Sequence, residues 1–539
     1  MKKVTFSRLL IALLVSSIMF VSCEALLKAS QPKSPKPKPV TQTPKPVNTG
    51  GTNEMGIIGN GGTVSFTANL QELKSVNDQI LGINAAFSFN QNISDHPEVV
   101  RLTNEMAPRI LRFPGGTIAN YYHPGGKGYG FKEAEMRTKV ILDQYKTEQY
   151  ESQDFVVPYI KLAKSSGAKC LYVANLLTGT VEEAITTIDR IQSGGVEVIG
   201  VELGNELYFG EYRNDFPDAN SYVTKAKSYA VALRKKYPKM KIAVIAAKVA
   251  GEAGGTAPTQ GYATQWNDAL AKETFYDAFV VHSYVKDEGC TAVVGEGFDK
   301  VFFCEYELLS AVNLNYADKL YGTFKKWYNG KKMWYTEWNI KSPQTMAGNT
   351  FVHAAYVTEF FMNMMDYNLA NNNALEISTY HNFCTSNYGY TTIAPNRKNL
   401  PNLNGNKEVS ATGAYYSFKF LGDILKGGTQ SAGLVSVSTS GLDNKQFNAR
   451  LFYNVSTKKA YLYFLNRSGG NITIDKLDGI IYQSAKIKYV KASKLYSAFG
   501  ETGFVNKYPD KQHYVEMVEK EYSKAIEGPF SFGVIEFSL

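Results

Sequence analysis

The sequence has few of the residues that build metal centres and disulfide frameworks. Only five cysteines occur among 539 residues, and no two of them have the C-x-x-C spacing of a zinc site. No cluster of His, Cys and Asp has metal-ligand spacing, and no P-loop is present. We therefore expect the protein to use neither a metal nor a cofactor.

The cysteines of the main body fall into two groups. Cys290 and Cys304 lie in one predicted loop, so in an exported protein they are the expected disulfide pair. Cys170 and Cys384 sit in apolar surroundings, and we expect them to be free, buried thiols.

An excess of basic charge over the main body is also missing. The chain has a net charge of +9, but residues 1–50 hold eight Lys or Arg and one Glu, which leaves only +2 for the rest. Nothing in this distribution indicates a nucleic-acid partner. The charge belongs to a segment rich in Pro, Lys, Thr and Gly, and we expect residues 24–60 to form a disordered tether.

The first 23 residues have the order of a secretory signal, with positive residues followed by an apolar run over 9–21. Residues 20–23, Phe-Val-Ser-Cys, resemble the bacterial lipoprotein box. The resemblance implies cleavage before Cys23, acylation there and an exported outer-membrane lipoprotein, at the cell surface or on the periplasmic face. A soluble secretory signal with an incidental Cys23 is one alternative. An uncleaved membrane anchor is another, although the run is short for a full span.

Residues 79–405 alternate between short apolar runs and longer helical stretches, which predicts βαβ units and a parallel sheet. The candidate strands are 80–86, 109–113, 169–175, 198–203, 241–246, 279–282, 332–336 and 375–380. Eight such strands fit a closed (β/α)8 barrel. An open, doubly wound sheet is the alternative, but the glycine fingerprint of its dinucleotide site is missing after the first strand.

The pattern of apolar and polar residues changes after residue 405. Short β-like runs separated by Gly, Asn, Ser and Asp predict an antiparallel β-sandwich over 406–539. The alternating residues 62–70 indicate that the segment 61–78 adds a strand to this sandwich before the chain enters the barrel.

Carboxylates end two of the candidate barrel strands. Asn205 and Glu206 end the fourth, and Glu337 ends the seventh. Catalysis in such barrels occurs at the C-terminal ends of the strands, and strands four and seven lie on opposite walls. Glycosidic bond hydrolysis needs two facing carboxyl groups, one protonated and one ionised. Taken alone, the Asn-Glu pair could equally serve a helix N-terminus.

These strand ends resemble clan A of the glycoside hydrolases. The Leu-Arg-Phe-Pro-Gly-Gly sequence at 111–116 is similar to family 51 arabinofuranosidases, and also to the heparanase and glucuronidase group, family 79. A barrel with a sandwich and an early strand is shared by those families and by family 39. The resemblance spans about residues 60–539, and its specific motifs are strands two, four and seven and the His-Ser-Tyr at 282–284.

The resemblance implies that Glu206 is the general acid/base and Glu337 the nucleophile. Four neighbours would support them: Asn205 binding the sugar 2-hydroxyl, Arg112 keeping Glu337 ionised as a nearby cation, Tyr284 donating to Glu337, and His282 lying near the acid/base. The alternative for Arg112 is a structural ion pair. His282 and Tyr284 could instead be satisfied core residues, and the two glycines at 115–116 could serve only a tight turn.

Other strand-end residues are candidate sugar contacts. Trp338 follows the predicted end of strand seven, so we expect it to form a stacking platform for sugar. Asn175, Tyr380 and His381 end strands three and eight and are expected to line the pocket. Trp334 has the opposite parity to Glu337 and is expected to pack outward.

These residues predict a retaining glycosidase that acts on a polysaccharide or oligosaccharide. A non-catalytic glycan-binding lipoprotein on the same fold and an inverting glycosidase are the alternatives. The family 51 resemblance implies arabinofuranosides and the family 79 resemblance implies uronides. The segments 121–154 and 286–307 are predicted to form loops over the barrel mouth, where loops set specificity.

Overall fold

The computed structural model describes residues 59–85, 91–248, 260–285, 316–340, 346–385, 389, 391–395, 403–426, 432–508 and 512–539. Cys23, almost all of the tether, the pair Cys290 and Cys304, and the segment 286–307 lie outside these residues. The expectations for them therefore stay predictions. Cys170 and Cys384 are free and buried, as expected.

The chain enters through a long strand that belongs to the C-terminal domain, β1 (Gly62–Lys74). It then builds a closed barrel of eight parallel strands, which confirms the predicted (β/α)8 fold. The strands are β2 (Gly82–Asn84), β3 (Ile110–Phe113), β4 (Lys169–Ala174), β5 (Val198–Leu203), β6 (Lys241–Ile245), β7 (Ala278–Val285), β8 (Lys332–Ile340) and β9 (Leu375–His381). Pairing of β9 with β2 closes the barrel.

Helices surround the barrel, and several of them begin at a polar residue whose side chain caps the first turn. They are α1 (Gln91–Ser94), α2 (Pro97–Met106), α3 (Lys139–Glu148), α4 (Val156–Ser166), α5 (Val181–Ser193), α6 (Ala219–Lys236), α7 (Gln260–Leu270), α8 (Tyr316–Tyr328), α9 (Phe351–Ala370) and α10 (Gly413–Ile424). Thr180 forms a capping box with Glu183 at the start of α5, which satisfies backbone donors that the first turn leaves free. None of the helices in the described ranges combines the length and apolar character that crossing a lipid bilayer requires.

The helix α9 is buried on nearly all sides. It packs against β9 and α10 and also against strands of the C-terminal domain, so an apolar sequence around its whole circumference is expected. The helix α10 packs on α9 and α2, which places it in the barrel's outer layer although it follows residue 405. A short hairpin, β10 (Ile393–Pro395) with β11 (Val409–Ala411), precedes it.

The C-terminal domain is the predicted β-sandwich. Its strands are β12 (Gly433–Ser440), β13 (Phe447–Asn454), β14 (Lys459–Asn466), β15 (Ile472–Asp478), β16 (Ser484–Ala492), β17 (Glu516–Glu521), β18 (Ala525–Ile526) and β19 (Phe530–Ser538), with α11 (Gly503–Lys507) between β16 and β17. Hydrogen bonds join them with β1 in the order β17-β16-β19-β14-β13-β12-β1-β15-β18. Antiparallel pairs predominate, with β1 and β15 parallel. The domain has an apolar core of its own, separate from that of the barrel.

Candidate active site

A β-bulge in β8 aims Glu337 into the barrel mouth. Tyr335 pairs with Val281, and the next pair is Glu337 with His282, so Thr336 is an extra residue in β8. A bulge of this kind changes which side chains face inward. Strand parity counted along the sequence therefore does not hold across Thr336.

Both oxygens of Glu337 are held by donors from other strands. Its Oε1 accepts from Arg112 Nη1 at 2.8 Å and from Asn84 Nδ2 at 3.2 Å. Its Oε2 accepts from the Tyr284 hydroxyl at 2.6 Å. The expected contacts of Arg112 and Tyr284 with Glu337 are thus present. The carboxylate is fixed in orientation, and its side chain remains 7% exposed at the mouth.

Arg112 is fully buried and links four side chains under the mouth. It makes a two-pronged ion pair with Glu202, with its Nη2 2.7 Å from Oε2 and its Nε 3.2 Å from Oε1. Arg112 Nη2 also donates to Asn205 Oδ1 at 2.9 Å, and Nη1 donates to Asn84 Oδ1 at 3.2 Å. Every edge of the guanidinium is used, so Arg112 is rigid and permanently charged.

Glycine makes room for this network beside β2. Gly115 has φ +76°, and a Cβ there would lie 2.1 Å from Asn84 Oδ1. Only glycine combines that backbone conformation with such a close approach. The predicted tight turn at 115–116 therefore also positions Asn84 against Arg112.

Glu206 lies at the end of β5 in a left-handed backbone conformation, with φ +49°. A non-glycine residue adopts this conformation only where its surroundings impose it. The side chain of Asn120 does so by bonding both backbone groups of the preceding residue, Asn205, at 3.0 and 2.8 Å. The side chain of Glu206 is 16% exposed.

Two basic groups contact Glu206. His282 Nδ1 lies 3.1 Å from its Oε1, as expected for a histidine near the acid/base. Lys248 Nζ lies 3.5 Å from the same oxygen. The other ring nitrogen of His282 is 3.1 Å from the hydroxyl of Thr336. That hydroxyl can donate to Nε2, which leaves Nδ1 to carry the proton toward Glu206.

His282 joins the two carboxylates. Its Nδ1 lies 3.1 Å from an oxygen of Glu206 and 3.8 Å from Oε2 of Glu337. The two carboxylate oxygens are therefore no farther apart than the sum of these distances. The two acids of opposite walls meet at one small space.

The surroundings favour the ionised form of both acids. Burial alone would raise the pKa of Glu337, but His282, His381, Arg112 and the Tyr284 hydroxyl lower it well below its usual range. Burial would likewise raise the pKa of Glu206, and the charge of Lys248 and the bond to His282 outweigh it, so the pKa is lowered.

Three expected sugar contacts do not reach the mouth. Trp338 is fully buried within β8, donates to Ser378 Oγ at 2.7 Å and packs against α9, because the strand continues past Glu337. Tyr380 is also fully buried, with its ring 5.1 Å from that of Trp338. Asn175 uses its amide to hold the loop after β4, donating to Tyr122 O and Thr178 Oγ1.

The expectation that Trp334 packs outward was also wrong, because the extra residue at Thr336 changes the parity along β8. A Cβ on Gly200 of β5 would lie 2.4 Å from its Cη2, and β5 is not a neighbour of β8 in the barrel. The indole therefore fills the interior near the bottom, where Nε1 donates to Glu376 at 2.8 Å. The bulge at Thr336 lets Trp334 and Glu337 both point inward despite their opposite parity.

His381, in contrast, lies at the mouth. Its Nδ1 is 2.8 Å from Asn84 Nδ2 and 3.9 Å from Glu337 Oε2. Its ring meets that of Tyr284 edge to face, with centroids 5.8 Å apart.

Four site residues were missing from the sequence prediction: Asn84, Asn120, Glu202 and Lys248. Asn84 ends β2 and Lys248 closely follows β6, so the strand-end criterion that found Glu206 could have found both. Glu202 interrupts an apolar strand, and a lone acid there signals a buried cation partner. Asn120 comes from a loop and has no comparable signal.

Nothing in this arrangement offers a metal site. Within the described ranges, no three His, Cys, Asp or Glu side chains come together as a metal-binding group. The chemistry available is that of two carboxyl groups, an arginine, a tyrosine hydroxyl and basic nitrogens.

Comparison with solved structures shows the same fold in glycoside hydrolases. An α-L-arabinofuranosidase from Thermotoga maritima has a TM-score of 0.59 at 14% identity, covering 88% of this chain and 100% of that one. The family 51 arabinofuranosidase of Xanthomonas axonopodis pv. citri has a TM-score of 0.58 at 11% identity, covering 88% and 99%. A family 44 xyloglucanase from Paenibacillus polymyxa has a TM-score of 0.51 at 11% identity, covering 89% of this chain and 100% of that one.

The likeness at these identities is one of fold. The chain shares its fold with these family 51 and family 44 glycoside hydrolases. Neither a protein-family model nor a curated protein matches the sequence.

Proposed function

We propose that this protein is a retaining glycoside hydrolase that cleaves O-glycosidic bonds of a polysaccharide or oligosaccharide. Glu337 acts as nucleophile and Glu206 as general acid/base. The observation that carries the proposal is the meeting of these two carboxylates around His282, with Glu337 held by Arg112 and Tyr284.

The first step needs an ionised nucleophile and a proton for the leaving oxygen. Arg112 and Tyr284 fix Glu337 in the ionised form, so a carboxylate oxygen attacks the anomeric carbon. Glu206 gives its proton to the glycosidic oxygen, and the bond from that oxygen to the anomeric carbon breaks. The product is a glycosyl ester of Glu337.

The second step reverses the proton flow. Glu206, now ionised, removes a proton from water, and the resulting hydroxide attacks the anomeric carbon, whose bond to the Glu337 oxygen breaks. His282 beside Glu206 and the donors around Glu337 stay in place in both steps. Asn205, held by Arg112, is placed to bond the sugar 2-hydroxyl, a contact that strengthens as positive charge develops on the ring.

The separation of the two acids is consistent with retention. Carboxyl groups are about 5–5.5 Å apart in retaining enzymes and about 6.5–9.5 Å apart in inverting ones. The upper limit set through His282 lies near the bottom of the inverting range. A glycan-binding protein would need neither an ionised acid in a cage of donors nor a second acid beside it.

Arabinofuranosides are the first substrates to test, because the strand-two motif and two of the structural neighbours point to that group. Uronides are the second class, from the resemblance to family 79. We also propose that the chain is anchored in the outer membrane through a lipid on Cys23, with residues 24–60 as the tether that holds the enzyme away from the membrane.

The test is a screen of aryl glycosides and of plant and algal polysaccharides, with the first product followed by proton NMR. A retaining enzyme releases sugar of the same anomeric configuration as the substrate. First release of the opposite anomer would establish inversion instead. No hydrolysis of any substrate, together with glycan binding, would favour the non-catalytic alternative.

A further inference from the structure

Lys248 is a buried cation at the acid/base whose partners are incomplete. It follows β6, and its side chain is only 6% exposed. Its ammonium has three donors, yet its one ion-pair partner in the described part of the chain is Glu206 at 3.5 Å. The rings of Phe209 and Tyr284 lie 5.7 and 5.8 Å away. Buried ammonium groups are stable only when paired and hydrogen-bonded.

The other cation of the site has partners of its own. Arg112 lies against two carboxylates, Glu202 and Glu337, at 2.7 and 2.8 Å. Among the described residues, Glu206 is the one acid that forms an ion pair with Lys248. Lys248 and Glu206 therefore form a pair separate from the ion pairs of Arg112.

This pair conflicts with the role of Glu206 as a proton donor. To protonate the leaving oxygen, Glu206 must first carry a proton, and it then no longer neutralises Lys248. The buried ammonium would be left without an anion at the moment the reaction begins. A second anion at this place would remove the conflict, because it would pair with Lys248 and leave Glu206 free to hold its proton.

We propose that Lys248 binds an anionic substituent, a carboxylate or a sulfate ester, on the sugar that leaves with help from Glu206. The inference rests on the proposed function, since it uses Glu206 as the acid/base. Glu206 protonates the leaving oxygen, and the Lys248 ammonium lies 3.5 Å from Glu206, so the leaving sugar is the one whose substituent Lys248 is assigned to bind. Lys248 is thus a specificity-determining residue for acidic glycans.

The position of Phe209 fits this assignment. It is partly exposed, follows Glu206 by three residues and lies beside the ammonium. An aromatic ring next to a cation can receive the face of a leaving sugar while the cation takes its charged substituent. A purely structural Lys248 would act through Glu206 alone, and it would affect neutral and charged substrates equally.

The kinetic experiment compares two 4-nitrophenyl glycosides of the same sugar. In one the phenyl ring of the leaving group has no further substituent, and in the other this phenyl ring carries a carboxylate. A sulfonate in place of the carboxylate tests sulfate-like anions. Lys248→Met should lower the charged-to-neutral ratio of kcat/KM by about 10-fold or more, the loss expected for a charge-assisted hydrogen bond. Lys248→Arg should keep most of the preference, and Lys227→Met, a change of an exposed lysine of α6, should leave the ratio unchanged. An unchanged ratio in Lys248→Met would overturn the assignment while leaving the proposed function intact.

A binding arm does not depend on turnover. Calorimetric titration of the unmodified protein with D-glucuronate, D-glucose 6-sulfate and D-glucose should show tighter binding of at least one anionic sugar than of glucose. That advantage should disappear in Lys248→Met. Equal binding of all three sugars, or binding of none, would overturn the assignment. Absence of hydrolysis in the kinetic arm would instead count against the proposed function.

Discussion

Arg112 at the barrel mouth and Arg467 at the junction of the two domains are both buried arginines paired with glutamate, and their surroundings differ. Arg112 bonds two carboxylates and two amides that lie in or closely after three strands, β2, β5 and β8. Arg467 donates to Glu359 of α9 at 2.6 Å and to the carbonyl of Asn444, and its Nε has no hydrogen-bond partner in the described structure.

The protonation behaviour of the two arginines follows from this difference. Burial lowers the pKa of both guanidinium groups, and at Arg467 it brings the pKa to about 10. At Arg112 the charges of Glu202 and Glu337 outweigh burial and raise the pKa. At the junction between the domains, Arg467 has one donor without a hydrogen-bond partner in the described structure. At the barrel mouth, where Arg112 keeps a carboxylate ionised and aligned, every edge of the guanidinium is used.

The largest expected effect is a loss of activity that distinguishes Glu337, the partner of Arg112, from Glu359, the partner of Arg467. Glu337→Gln removes the attacking carboxylate, and kcat should fall by at least about 10⁴-fold with little change in the melting temperature. The matched change Glu359→Gln at the junction should lower the melting temperature and leave kcat nearly unchanged. Steady-state kinetics and calorimetry of both variants make the comparison, and near-normal turnover by Glu337→Gln would remove the nucleophile from the account.

A smaller effect is expected for the acid/base. Glu206→Gln should slow hydrolysis by roughly 10²–10⁴-fold when the leaving group needs a proton. The loss should be much smaller with a dinitrophenyl leaving group, which departs without one. A series of aryl glycosides of graded leaving-group pKa measures this dependence. The same loss across the whole series would assign Glu206 to another role.

Much of this site followed from the sequence, because strand ends and apolar runs are local signals. The eight strands, Glu206 and Glu337 were found in that way, and Arg112 was found through the family resemblance of residues 111–116. The orientation of Trp334 was not, since a single extra residue at Thr336 reverses the parity on which it depended. Trp338 was misplaced because β8 continues past Glu337, where the sequence predicted its end. The sequence also could not identify Arg112 as the partner of Glu202, because the two residues lie 90 positions apart in the chain.

The next prediction concerns the arginines themselves. Arg467→Met removes the cation that lies against the buried Glu359, which should cost about 3–5 kcal/mol of unfolding free energy. The double change Arg467→Met with Glu359→Leu should recover most of that stability, because a packed apolar pair replaces a buried ionic one.

The same replacement at the mouth should behave differently. Arg112→Met with Glu202→Leu can recover stability in part, but Glu337 loses its cation, so turnover should remain low. Denaturant unfolding and kinetics of these three variants measure both quantities. Full activity of the variant with both Arg112→Met and Glu202→Leu would show that Arg112 is only structural.

The smallest effect comes from a buried acid with no arginine. Glu148 accepts from Tyr129 N at 2.8 Å and Gln144 Nε2 at 2.7 Å, and burial raises its pKa from 4.5 to about 8. The folded state therefore binds a proton that the unfolded state has lost between these values, and stability contributed by Glu148 falls as pH rises from 4.5 to about 8.

Thermal unfolding between pH 5 and pH 9 should show this fall as a decrease of roughly a few degrees. Glu148→Gln has no proton to lose and should show a shallower decrease over the same range. Identical pH profiles for the two proteins would mean that Glu148 ionises normally and that its surroundings relax around the charge.

Trapping the covalent intermediate tests the central claim most directly. The enzyme is incubated with the activated 2-deoxy-2-fluoro glycoside of whichever sugar the screen identifies, then digested and mapped by mass spectrometry. The account predicts one added glycosyl group, on the peptide that contains Glu337 and on that carboxylate. A label on any other residue, or a fully active enzyme that never acquires one and releases the inverted anomer, would contradict it.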